Sequence, residues 1–132
     1  MLDHEKLDVY QCAIEFLAVS VKVMKSIPKG HSSLVDQLKR ASWSIPLNIA
    51  EGCGKTGPAD KERFYAIARG SAMECAAALD VCGVLRITDP KLQKEGKVLL
   101  TRVVAMLTKM CRPDEKYRAR SRARVGARSR DQ

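Results

Sequence analysis

Gly52-Cys53-Gly54-Lys55-Thr56 is the stretch nearest to a recognisable chemistry, because Gly-Lys-Thr ends the phosphate-cradling loop of many nucleotide-binding proteins. That loop needs a glycine five residues before Gly54, where Ile49 stands, a strand ahead of it and a helix directly behind. Here a helical pattern precedes and Gly57-Pro58 follows, so the stretch reads as a helix stop and a turn. The five cysteines, at positions 12, 53, 75, 82 and 111, form no C-x-x-C pair, and neither His4 nor His31 stands beside one. Zinc and disulfide frameworks fail on that spacing. Cys12, Cys75 and Cys82 fall on apolar helical stripes, where a thiol packs as a small hydrophobe. No nucleophile is paired with either histidine, and Glu51 and Glu74 would need a pocket to act as acid and base. The expectation is a protein that is not an enzyme and holds no cofactor and no metal.

The elements that carry these residues are helical. Val9, Cys12, Ala13, Phe16, Leu17, Ser20, Val23 and Met24 recur at three- and four-residue steps and predict a first helix over about Glu5 to Ser26. A second apolar set, Tyr10, Ile14, Leu17 and Val21, flanks that stripe. So wide an apolar surface calls for more than one neighbour. After the break at Ile27-Pro28-Lys29-Gly30, Ser32 or Ser33 can cap a second helix with the stripe Leu34, Leu38, Ala41, Ile45, Ile49. Pro46 should kink it, and glycine at 52–54 should provide a left-handed cap. Pro58, with Thr56 as a cap, opens a third helix carrying Phe64, Ile67, Ala68, Ser71, Cys75, Ala78, Leu79, Cys82 and Leu85. Asp89-Pro90 opens a fourth, with Leu92, Leu99, Leu100, Val103, Val104, Met106, Leu107, Met110 and Cys111, ended by Pro113.

Four helices with short connections and no strand pattern predict an all-α, antiparallel up-down-up-down four-helix bundle over 1–112, the second helix kinked. With 132 residues there is room for one such core. No apolar run nears the roughly 18 residues a membrane span needs, and the polar Met1-Leu2-Asp3-His4-Glu5-Lys6 is no signal peptide. The expected setting is cytoplasmic.

The net charge of +9 is unevenly spread: 17 basic against 12 acidic side chains in residues 1–112, seven against three in residues 113–132. That last segment carries Lys116, Arg118, Arg120, Arg122, Arg124, Arg128 and Arg130, has no apolar stripe, and is expected to be a disordered Arg-rich tail that contacts RNA or DNA phosphates. Polar residues on buried faces raise a second candidate. Asn48 and Glu74 must find partners, and the expected network has Asn48 or Ser42 bonding backbone freed by Pro46, and Glu74 pairing with Arg40. A ligand or partner site inside the bundle is the competing reading of the same residues.

The run Gln37-Leu38-Lys39-Arg40-Ala41-Ser42-Trp43-Ser44-Ile45-Pro46-Leu47-Asn48-Ile49-Ala50-Glu51-Gly52 closely resembles the signature of the bacterial four helix bundle protein family, also known as 23S ribosomal RNA intervening-sequence proteins. Leu7-Asp8-Val9-Tyr10-Gln11-Cys12-Ala13 agrees with it, as do Phe64-Tyr65-Ala66-Ile67-Ala68-Arg69-Gly70-Ser71 and Glu74. The resemblance covers about residues 5 to 112 and marks Arg40, Ser44, Pro46, Asn48, Glu51, Gly52, Gly70, Ser71 and Glu74 as the structural signature. It implies the four-helix fold and a homo-oligomer, since related proteins assemble as rings of five. It also implies an unsettled role: some relatives are encoded within ribosomal RNA genes, and similar bundles bind nucleic acid and a reverse transcriptase as retroelement accessory factors. Trp43 departs from the smaller residues usual at its position and marks a subunit or partner contact. The expected function is a non-catalytic oligomeric bundle that binds RNA or DNA through basic surface and tail. The alternative is a protein-interaction scaffold or accessory factor without direct nucleic-acid binding.

Overall fold

A computed structural model describes residues 1–111 together with 123, 124 and 126. Its long elements are α1 (Asp8–Ser26), α2 (Ser32–Gly54), α3 (Pro58–Leu85) and α4 (Pro90–Met110), and no strand occurs among the described residues. A short 3-10 turn over Asp3–Lys6 precedes α1, so the first helix begins at Asp8, after Leu7 in extended geometry. Most of the tail expected to be disordered lies outside the described residues, as do Lys116, Arg118, Arg120, Arg122, Arg128 and Arg130, but Ala123, Arg124 and Gly126 are described and are helical. Arg124 is exposed.

Short turns reverse the chain between consecutive helices. Each helix packs on its two neighbours around a square, α1 on α2 and α4, α3 on α2 and α4, with no diagonal approach among the described residues. This is the up-down-up-down bundle, and the α2–α3 side is its most extensive contact. The core is mostly aliphatic, with Leu38, Ile45, Ile49, Leu79, Leu100 and Leu107 fully buried around Phe16 and the thiols of Cys12, Cys75 and Cys82 among them.

The helix ends follow local rules, with several corrections. Asp89 caps α4 by accepting the Lys91 N–H at 2.9 Å, and Pro90 takes the first helical position, where a missing N–H costs nothing. Pro58 does the same for α3, but the residue before it is Gly57, and Thr56 is not the cap. Neither Ser32 nor Ser33 caps α2, since both are inside it and His31 precedes them without a side-chain bond. α2 runs through Pro46 to Gly54 and ends on Lys55 in extended geometry, so no left-handed glycine closes it. The Lys61 ammonium donates instead to the last carbonyls, at 3.3 Å to Gly52 and 2.9 Å to Cys53. The left-handed cap belongs to α3, at Arg86 with φ 55°, where the absence of Gly costs about 1 kcal/mol.

Candidate functional site

The signature of α2 divides into three strips according to what each side chain meets. Ser42, Ile45, Pro46, Ile49 and Gly52 point into the bundle and are buried. Gly52 is there for closeness: a Cβ at that position would sit 3.1 Å from Phe64 Cβ and closer still to the Tyr65 ring. A second strip forms a polar seam against α3. Asn48 Nδ2 donates to the Ser44 carbonyl at 2.8 Å and to Ser44 Oγ at 2.9 Å, and Ser71 Oγ donates across the helix pair to Ser44 Oγ at 2.8 Å. Asn48 is half-buried, and the carbonyl it takes is that of Ser44; the one left without its partner by Pro46 is that of Ser42. Ser42 does not reach it either, since its hydroxyl donates to the Lys39 carbonyl at 3.1 Å. Glu74 is exposed, and Gln37 Nε2 donates to it at 3.1 Å, which replaces the expected pairing with Arg40. Through Ser71 and Ser44 the seam ties α3 to α2.

The third strip faces outward. Arg40 and Glu51 are exposed, Glu51 meeting Lys55 at 3.3 Å, and between them project Trp43, 48% exposed, and Leu47, 66% exposed. Lys39 lies 4.9 Å from the centre of the Trp43 ring. Trp43 and Leu47 join Tyr10, Ile14 and Leu17 of α1 and Ala50 around a shallow hollow of about 450 Å³. Trp43 and Leu47 thus leave apolar surface of α2 in contact with water.

A second apolar face lies on α3, where the expected stripe is partly misplaced. Tyr65 and Ala72 are buried, while Ile67, Val81 and Leu85 are each close to half exposed and Val84 is 83% exposed. With Gly70, beside which nothing approaches within 4 Å, these residues line the outer corner of α3 away from the core.

The chemistry-bearing residues come together nowhere among the described residues. No three His, Cys, Asp or Glu side chains gather as a metal could require, and all five cysteines are free. Burial, and then the negative charge of Glu74, push the Cys75 thiol up to about 12, the opposite of what activates a thiol nucleophile. His4 packs edge-on to Tyr10 with ring centres 4.7 Å apart. Lys55, the lysine of the Gly-Lys-Thr run, pairs with Glu51 and lies 5.3 Å over the Phe64 ring.

The family profile of the 23S rRNA-intervening sequence protein matches residues 5–109, the whole bundle with its signature. The chain belongs to that family. A solved structure with the same fold is a protein of unknown function from the S23 ribosomal protein family of Bacteroides thetaiotaomicron, 20% identical, with a TM-score of 0.73 over 80% of this chain and 99% of that one. No curated protein matches the chain. For this intervening-sequence family member the likeness fixes the fold, and no helix among its described residues is long and apolar enough to cross a membrane.

Proposed function

We propose that this chain is a non-catalytic bundle that assembles with copies of itself and binds RNA or DNA through basic surface and its C-terminal segment. The observation that carries the assembly is the pair of apolar faces on different sides of one bundle, Trp43 with Leu47 on one and Val81 with Val84 on the other. Two unlike faces favour head-to-tail contacts, and such contacts close into rings when the rotation allows. A ring of five, as the family resemblance implies, satisfies both faces on every copy. The nucleic-acid role is supported by the +9 charge and by six arginines and a lysine in the last 20 residues.

Size exclusion with light scattering tests the first half: the expected mass is several times the 14.6 kDa of one chain. Trp43→Ala with Leu47→Ser should reduce it to that of one chain, while a wild-type monomer at micromolar concentration would refute assembly. For the second half, shortening the chain to end at Pro113 should weaken binding to single-stranded and duplex RNA and DNA and flatten its salt dependence. Equal affinity and slope would remove the tail from the reading. If no nucleic acid binds the full chain, the same two faces support a protein-interaction scaffold.

A further inference from the structure

The turns at 27–31 and 86–89 lie at one end of the bundle, and that end is basic. Lys22 and Lys25 occupy the last turns of α1, Lys29 the turn after it, Arg86 the cap of α3, and Lys91 and Lys94 the start of α4. All six are exposed, and none takes part in an ion pair among the described residues, where Lys6, Lys55 and Lys97 do. Of the carboxylates nearby, Asp89 is occupied as the α4 cap and Asp80 is bound to Lys97 at 2.6 Å, leaving Asp36, Glu95 and, deeper along α1, Glu15. Between α1 and α4 this end opens into a groove of about 690 Å³. Its floor is apolar, from Ala18, Val19, Val98 and Leu99, and Lys22, Lys91 and Lys94 stand on its rim, with Glu15 and Glu95 also lining it. Lysine stems lie along such a floor and hold their ammonium groups at the edge in water.

We propose that this α1–α4 groove binds the phosphodiester backbone of nucleic acid, with Lys22, Lys91 and Lys94 as the phosphate contacts. The proposal rests on the nucleic-acid reading above and adds a site on the folded bundle. α4 ends at Met110, at the other end of the bundle, so the groove is a contact that the folded helices provide by themselves. Lysine offers point charges without base readout, and the groove therefore binds without regard to sequence.

The test uses the full chain and fluorescence anisotropy with a labelled 20-nucleotide RNA, single-stranded and duplex, across a salt series. Lys22→Gln, Lys91→Gln and Lys94→Gln are combined and compared with an equal loss of charge away from the groove, at Lys6, Arg63 and Lys109. The groove variant should bind at least tenfold more weakly at low salt, and its slope against log salt should fall by about one per lysine lost. The control should change the affinity by a few-fold. Circular dichroism confirms that both variants remain helical; should the groove variant unfold, the single Lys94→Gln must still flatten the slope by about one. Equal effects of the two triple variants overturn the groove while leaving the nucleic-acid reading intact. No binding by the wild-type chain overturns both.

Discussion

A Cβ added to Gly52 would stand 2.8 Å from Cε1 of Tyr65, a ring that is only 7% exposed and cannot swing into solvent. The α2–α3 contact is set by that approach. Gly52→Ala must therefore push the ring or the helix aside at about 1–3 kcal/mol, of which the better helix propensity of Ala returns roughly 1. At Gly70 nothing stands within 4 Å, and Gly70→Ala should stabilise the isolated bundle by about 0.5–1 kcal/mol. Thermal melts of the two variants should shift in opposite directions.

Ser20 is fully buried and its hydroxyl has no hydrogen-bond partner. Removing an unsatisfied polar group relieves its desolvation cost, on the order of 1 kcal/mol. Ser20→Ala should raise the urea midpoint with an unchanged slope, and a lower midpoint would mean that the hydroxyl is paired in solution.

Asn48→Leu removes both bonds to Ser44 and leaves the seam with the single contact from Ser71. The expected loss is on the order of 1–3 kcal/mol, seen as a fall of several degrees in melting temperature. Asn48→Asp cannot donate to the Ser44 carbonyl and should lose that bond, keeping at most one from the Ser44 hydroxyl.

Cys75 gives a pH dependence with a definite sign. Its thiol is held well above the ordinary 9.0, at about 12, first by burial and then by Glu74, and burial also leads the upward shifts of Cys12, Cys111 and Tyr65. The folded state keeps these protons more tightly than the unfolded chain. That stabilisation is complete below pH 9 and is lost as pH rises from 9 towards 12. Melting temperature should drop across this window, and less steeply in Cys75→Ala. At pH 8 iodoacetamide should modify the half-buried Cys53 and Cys111 and spare Cys12, Cys75 and Cys82 until the protein unfolds.

Much of this fold is legible in the sequence because its punctuation is local. Pro58 and Asp89-Pro90 start helices through groups within one turn, and the α1 stripe has charged residues on its other side to fix its phase. On α3 the phase is ambiguous. Between Phe64 and Leu85 only Arg69, Glu74 and Asp80 are charged, so a 3.6-residue period fits several rotations. That is why the stripe legible in the sequence includes the exposed Ile67 and Leu85 and leaves out the buried Tyr65 and Ala72. The Gly52 contact was equally hidden, since glycine signals a turn and a close approach with the same letter. The partner of Glu74 depends on the relative rotation of α2 and α3, which no single helix encodes. The lysine groove needs α1 and α4, far apart in sequence, to be set side by side, and only the spacing of Lys22 and Lys25 and of Lys91 and Lys94 hints at it.

The contact of α1 with α4 closes the square, and α1 starts at the end where α4 finishes. Asp8 and Met110 thus belong to neighbouring helices at one end of the bundle. A short linker could join them, and new termini opened between Lys29 and Gly30 would interrupt no helix. Such a circular permutant should fold to the same core, because every helix keeps both neighbours. For protein engineering the consequence is directional: cargo joined directly at Asp8 or after Met110 leaves from one pole and keeps the opposite pole clear.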